Sequence, residues 1–97
     1  MGKFVYIYTG GRRPESEEEG KQLMAAWQGW LGGMGDHVVD QGAPFGASAP
    51  VNGGNLSGLS GYSVVTAGSL EEAAEHARDC PIFAGGGGVE VYEAIDM

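Results

Sequence analysis

The segment Gly61–Pro81, GYSVVTAGSLEEAAEHARDCP, constrains this chain more than any other. It reads as one strand, one cap and one short helix. Tyr62–Thr66 carries β-branched and aromatic residues that suit a pleated surface. Ser69 is a good N-cap and Glu72 follows three residues later, the spacing of a capping box that satisfies orphan backbone donors. Leu70, Ala73, Ala74 and Ala77 then fall on one helical face. Pro81 ends the segment, because it has no backbone N–H to continue a helix.

The N-terminal half repeats this order. Lys3–Thr9 is the first strand, with Phe4, Tyr6 and Tyr8 on one side and Val5 and Ile7 on the other. Both sides are apolar or aromatic, so neither is built for water. Gly10–Pro14 is a loop. Ser16 and Glu19 form a second capping box, and a helix follows to Leu31 or Met34. Its apolar stripe is Leu23, Trp27, Trp30, Leu31 and Met34. Glu17, Glu18 and Glu19 sit in the first turn, where the helix dipole favours negative charge. Gly29, Gly32 and Gly33 weaken the far end, which burial of the two tryptophans is expected to hold.

His37–Gln41 reads as the second strand, and Gly61–Thr66 as the third. The Gly-, Ser-, Asn- and Ala-rich stretch Gly42–Ser60 between them is long for a hairpin connection. Part of it, Ala47–Val51, is expected to extend the second strand, leaving a turn near Asn52–Asn55. Gly85–Gly88 leads into a fourth strand, Val89–Ile95. The order β-α-β-β-α-β is the ferredoxin-like arrangement, an α+β class with both helices on one face of a four-stranded antiparallel sheet. The other face is then bare and apolar and requires a cover.

Charge restricts that cover. Thirteen acidic residues against five basic ones leave the chain at −8. A phosphate backbone or an anionic membrane is repelled, so nucleic acid and membrane surfaces are poor partners. A second copy of the same sheet is the expected cover. One cysteine among 97 residues makes no internal disulfide, which fits a reducing compartment. No apolar run reaches the ~18 residues of a membrane span, and the N-terminus has no secretory pattern. A cytoplasmic protein is expected.

The blocks KFVYIYTGG, MAAWQGWLGGMGDHVVDQGAPFGAS, GYSVVTAGSLEEAAEHARDCP and GGVEVYEAI, in this order and spacing, resemble the YCII-related group that includes the DGPF-domain proteins. The resemblance covers nearly the whole chain, read as a single domain over 1–97. It implies a homodimer whose sheets pack back to back into a dimeric α+β barrel. It implies no defined reaction. The histidine near helix one proposed as catalytic in some YCII proteins has no counterpart here. The Asp-Gly-Pro-Phe tetrapeptide is also absent, the chain reading Asn55-Leu56-Ser57-Gly58-Leu59-Ser60 before the third strand.

Chemistry-bearing residues are few. Asp36, His37 and Asp40 are the densest polar group; His37 beside a carboxylate has the makings of a general base, against a plain reading as a strand start with solvated ends. The three lack the ligand number of a metal site, and none is expected. His76 reads as a solvated helix residue within reach of Glu72. Cys80 reads as a buried structural thiol, since a helix C-terminus disfavours a thiolate. Arg12 and Arg13 face Glu15 and Glu17–Glu19 and read as internal charge compensation. Gly85–Gly88 precedes a strand rather than a helix, so it is no phosphate loop.

The functional expectation is a small-molecule pocket near helix one and the 42–60 loop, with Trp27, Asp40, Ser48 and Tyr62 as ligand-binding candidates. Any chemistry there is expected to need no cofactor, and whether the chain is an enzyme stays open. The alternative is a non-catalytic protein-interaction or assembly module that uses the loop.

Overall fold

The computed structural model describes residues 1–97. Its elements are β1 (Gly2–Thr9), α1 (Glu17–Met34), β2 (Val38–Pro44), β3 (Leu59–Ala67), α2 (Leu70–Ala77) and β4 (Gly88–Ala94). Short 3-10 turns at Gly35–His37 and Pro81–Gly85 follow the two helices. The strands form one sheet in the order β2-β3-β1-β4, with every neighbouring pair antiparallel. This is an α+β chain compatible with a ferredoxin-like fold.

The serine half of each capping box forms. Ser16 Oγ accepts from the Glu19 N–H at 3.1 Å, and Ser69 Oγ accepts from the Glu72 N–H at 3.1 Å. Glu72 reaches back to accept from the Gly68 N–H at 2.9 Å. Each serine thus occupies one backbone donor that its helix leaves without a partner.

The helices select the aromatic side of β1. Phe4, Tyr6 and Tyr8 are buried beneath them, and Val5 and Ile7 lie half-exposed on the opposite face. Tyrosine is tolerable in this core because its hydroxyl finds a partner. Tyr6 Oη donates to the Ala73 carbonyl at 2.6 Å. Tyr8 Oη donates to Ser63 Oγ at 2.7 Å, which donates to the Gln41 carbonyl at 2.7 Å. Val65, Ala67, Ala73, Ala77, Cys80, Ile82 and Met34 complete the core. On α2 only Ala73 and Ala77 of the expected apolar face are buried; Leu70 and Ala74 are exposed.

Only 12 of 97 residues are buried, so the chain's own core is thin. The molecule is 19 Å deep along its shortest axis, the depth of one sheet and one helix layer. Nothing within the chain covers the second sheet face, where Val5, Ile7, Tyr62, Val64 and Tyr92 meet in neighbouring rows.

β2 departs from the sequence expectation. It starts at Val38, His37 belongs to the preceding 3-10 turn, and pairing ends at Pro44; Ala47–Val51 adds no strand. The register with β3 slips between Val38 and Asp40 and again between Asp40 and Ala43. These slips let Val38 pack against the core while Asp40, two residues on, pairs opposite Val64. Gly42 sits at φ +75, and a Cβ there would lie 1.7 Å from the Tyr62 carbonyl oxygen. Only glycine fits that bend.

The run Gly85–Gly88 also has a packing cause. A Cβ on Gly87 would stand 2.7 Å from the Thr9 carbonyl oxygen and 2.9 Å from the Gly11 nitrogen. Glycine here lets the entry to β4 lie against the end of β1.

Candidate functional site

A shallow, open groove of about 780 Å³ lies between α1 and the end of α2. Its size lies in the range of small-molecule sites. α1 forms one wall with Leu23, Ala26, Gly29, Trp30 and Gly33. The other wall comes from Glu75, His76 and Asp79 at the end of α2, then Pro81 and Ala84 of the 3-10 turn. Sequence dictates this shape. α1 presents small residues where a large side chain would fill the space, and a Cβ on Gly29 or Gly33 would meet nothing within 4 Å. The short α2 ends at Ala77, and Pro81 turns the chain along α1.

Trp30 is fixed in the wall. Its Nε1 donates to the His76 carbonyl at 3.0 Å, and its ring stacks on Tyr6 at a centroid distance of 5.9 Å. Trp27 meets Tyr8 edge to face at 5.0 Å and Trp30 at 5.7 Å. The two indoles thus anchor the glycine-weakened end of α1, as the sequence suggests.

His76 is half-buried rather than solvated. Its ring lies 5.6 Å from that of His37. Its Nε2 is shielded from water, has no hydrogen-bond partner, and stands 3.6 Å from Glu72 Oε1. Sequence spacing reveals the Glu72 contact but not the His37 contact, because 39 residues separate the histidines and only the sheet joins them. His37, His76 and their acidic neighbours form no cluster of three or more groups able to hold a metal ion.

The four ligand-binding candidates do not converge on this groove. Tyr62 and Asp40 do meet: Tyr62 Oη donates to Asp40 Oδ2 at 3.2 Å. Hydrogen bonding to the carboxylate pushes the Tyr62 phenol up from its ordinary value, with the Asp40 charge adding to it. Asp40 Oδ1 also accepts from the Gly42 N–H at 2.8 Å, so this carboxylate braces the bend in β2. Phe45 stacks on Tyr62 at 5.9 Å, extending the same patch. The patch lies on the open sheet face, whereas Trp27 packs on Tyr8 under the helices. Ser48 is exposed in the connection between β2 and β3. No residue of the 42–60 segment lines the groove. In this groove α2 and the turn after it face α1, and pairing holds 38–44 at the sheet edge.

The groove residues Glu75, His76 and Asp79 were missed because each looks like a solvated helix residue on its own. The available signal was the charge-free run Gln22–Met34, which leaves that length of α1 without a charged outer face.

The remaining reactive groups are structural. Burial pushes the Cys80 thiol up to about 11, away from a nucleophile's range. Burial likewise raises the Tyr6 phenol to about 12, and Tyr8 is raised as well, chiefly by burial. Arg12 pairs with Glu19 at 3.2 Å on the surface. No helix is long and apolar enough to cross a membrane. No protein-family model, curated protein or solved structure matches this chain.

Proposed function

We propose that the chain works as a homodimer of the YCII-related kind and binds a small molecule in the α1–α2 groove. The observation that carries this reading is that groove, with its fixed indole and the polar groups of Glu75, His76 and Asp79 on the facing wall. Dimerisation is supported by the uncovered patch of Val5, Ile7, Tyr62, Val64 and Tyr92 on a chain with a thin core. Back-to-back sheets bury that patch, form the α+β barrel and leave both grooves facing outward. Chemistry, where the bound molecule undergoes any, falls to the polar wall; the buried Cys80 takes no part.

A second reading has its own support. Val51 and Leu56 are exposed in the connection before β3, as is Phe45, whose ring stacks on Tyr62. A protein partner seated on that connection would make the chain an assembly module.

Sedimentation at micromolar concentration should give twice the 10.0 kDa chain mass. Val64→Glu, at the centre of the open face, should give folded or unfolded monomer, and a wild-type monomer overturns the dimer. A fragment screen followed by amide NMR separates the two readings. Shifts at Gly29, Gly33, His76 and Asp79 support the groove; shifts confined to 45–58 favour the assembly module.

A further inference from the structure

We propose that the α1–α2 groove selects an organic cation, an ammonium or guanidinium group carried on a small apolar or aromatic body. This deepens the groove reading above and rests on it. The lining contains two carboxylates, Glu75 and Asp79, and no lysine or arginine. Arg78, the C-cap residue of α2, lies outside the lining and turns its Nε onto Glu75 Oε2 at 3.0 Å. Asp79 has no ion-pair partner. It follows the C-cap Arg78 of α2, at the negative end of that helix's dipole. A net charge of −8 gives the whole molecule a field that draws cations toward such a cleft.

The opposite wall suits the rest of such a ligand. Leu23 and Ala26 are apolar, and Trp30 presents an indole, the best aromatic partner for a cation. The hydrogen bond from Trp30 Nε1 to the His76 carbonyl holds that ring in place before anything binds. Gly29 and Gly33 line the groove, yet packing within the chain does not require glycine there. Their lack of side chains keeps the wall open for an apolar body. An anion of the same shape meets the two carboxylates and finds no lysine or arginine in the lining, where His76 is the one basic side chain.

Three probes of one shape test this: 2-phenylethylamine, which is cationic at neutral pH, the neutral 2-phenylethanol, and the anionic 3-phenylpropionate. Each is titrated into the full chain, with binding read from tryptophan fluorescence and from the amide signals of Gly29, Gly33, His76 and Asp79. The amine should bind roughly tenfold or more tightly than the other two, the scale of one partly desolvated charge contact. Asp79→Asn with Glu75→Gln should abolish that preference. The equally neutralising pair Glu93→Gln with Asp96→Asn, remote from the groove, should keep it. Gly29→Leu should block all binding while retaining a folded spectrum. Equal binding of the alcohol or the propionate at these amides overturns the cation and leaves the groove standing. Loss of preference in the remote pair shows bulk attraction and also overturns it. No shift of the lining amides with any probe brings down the groove reading itself.

Discussion

Two glycine-to-alanine changes should move stability in opposite directions, and the geometry sets both sizes. At Gly42 the backbone holds φ +75, which costs an L-residue about 1–2 kcal/mol. The new Cβ would also overlap the Tyr62 carbonyl oxygen at 1.7 Å. That oxygen is backbone of β3, held between two neighbours, and cannot rotate away. The end of β2 must therefore lift, giving up the Ala43–Tyr62 and Pro44–Gly61 pairing and the Gly42–Asp40 hydrogen bond. At about 1 kcal/mol net for each of the three, and with the strain added, the total is about 4–5 kcal/mol. At Gly29 the helix accepts alanine, a Cβ meets nothing within 4 Å, and the gain is about 1 kcal/mol. For a domain of this length each kcal/mol shifts the melting temperature by about 4–8 °C. Gly42→Ala should thus lower the melting temperature by at least about 16 °C, and Gly29→Ala should raise it by about 4–8 °C. Calorimetry at one fixed protein concentration reads both. An unchanged midpoint for Gly42→Ala would refute the bent β2, because an unbent edge strand would tolerate the methyl group.

The core thiol and phenols give two further tests. With its pKa raised from 9.0 to about 11, Cys80 should carry roughly 100-fold less thiolate at neutral pH than in the unfolded chain, and its modification by a disulfide reagent should slow at least that much; a native rate equal to the denatured rate would show the thiol is exposed. Unfolding releases these groups to ionise at their ordinary values, so the stability contributed by keeping them neutral is complete below pH 9 and falls as pH rises through about 11 for Cys80 and about 12 for Tyr6. Melting temperature should therefore decline from about pH 9 upward, and Cys80→Ala should delay the onset toward the tyrosine range near pH 10. A flat profile to pH 11 would contradict the burial of both groups.

What could be read from the sequence, and what could not, follows the range of the interactions. The N-caps at Ser16 and Ser69 are closed by backbone N–H groups three positions away, so four residues of sequence contain the whole signal. The order of strands and helices is legible for the same reason. The choice between the two sides of β1 is not. Phe4, Tyr6 and Tyr8 could face either way by hydrophobicity, and the decision rests on Ala73, Ser63 and the tryptophans, which supply hydroxyl acceptors and ring contacts from far along the chain. β2 fails in sequence for a related cause. Its period is broken twice by slips defined only against β3, so a strict alternation misplaces Asp40 relative to Val38.

The candidate site shows the same division. Asp40 and Tyr62 meet as neighbours on paired strands, a contact the β-α-β-β order makes accessible, yet the contact serves the bend at Gly42. The groove instead depends on how far α2 stops short of covering α1. An eight-residue helix facing an eighteen-residue one leaves the charge-free end of α1 uncovered. Three glycines in that end, none needed for packing within the chain, then weaken the helix without an internal return. Such a local conflict with helix propensity is expected where function, rather than folding, sets the residue. It is the reason Gly29→Ala should stabilise the protein while narrowing the groove. A variant that gained stability and kept full amine binding would break that link, and would move the explanation of the glycines away from the ligand.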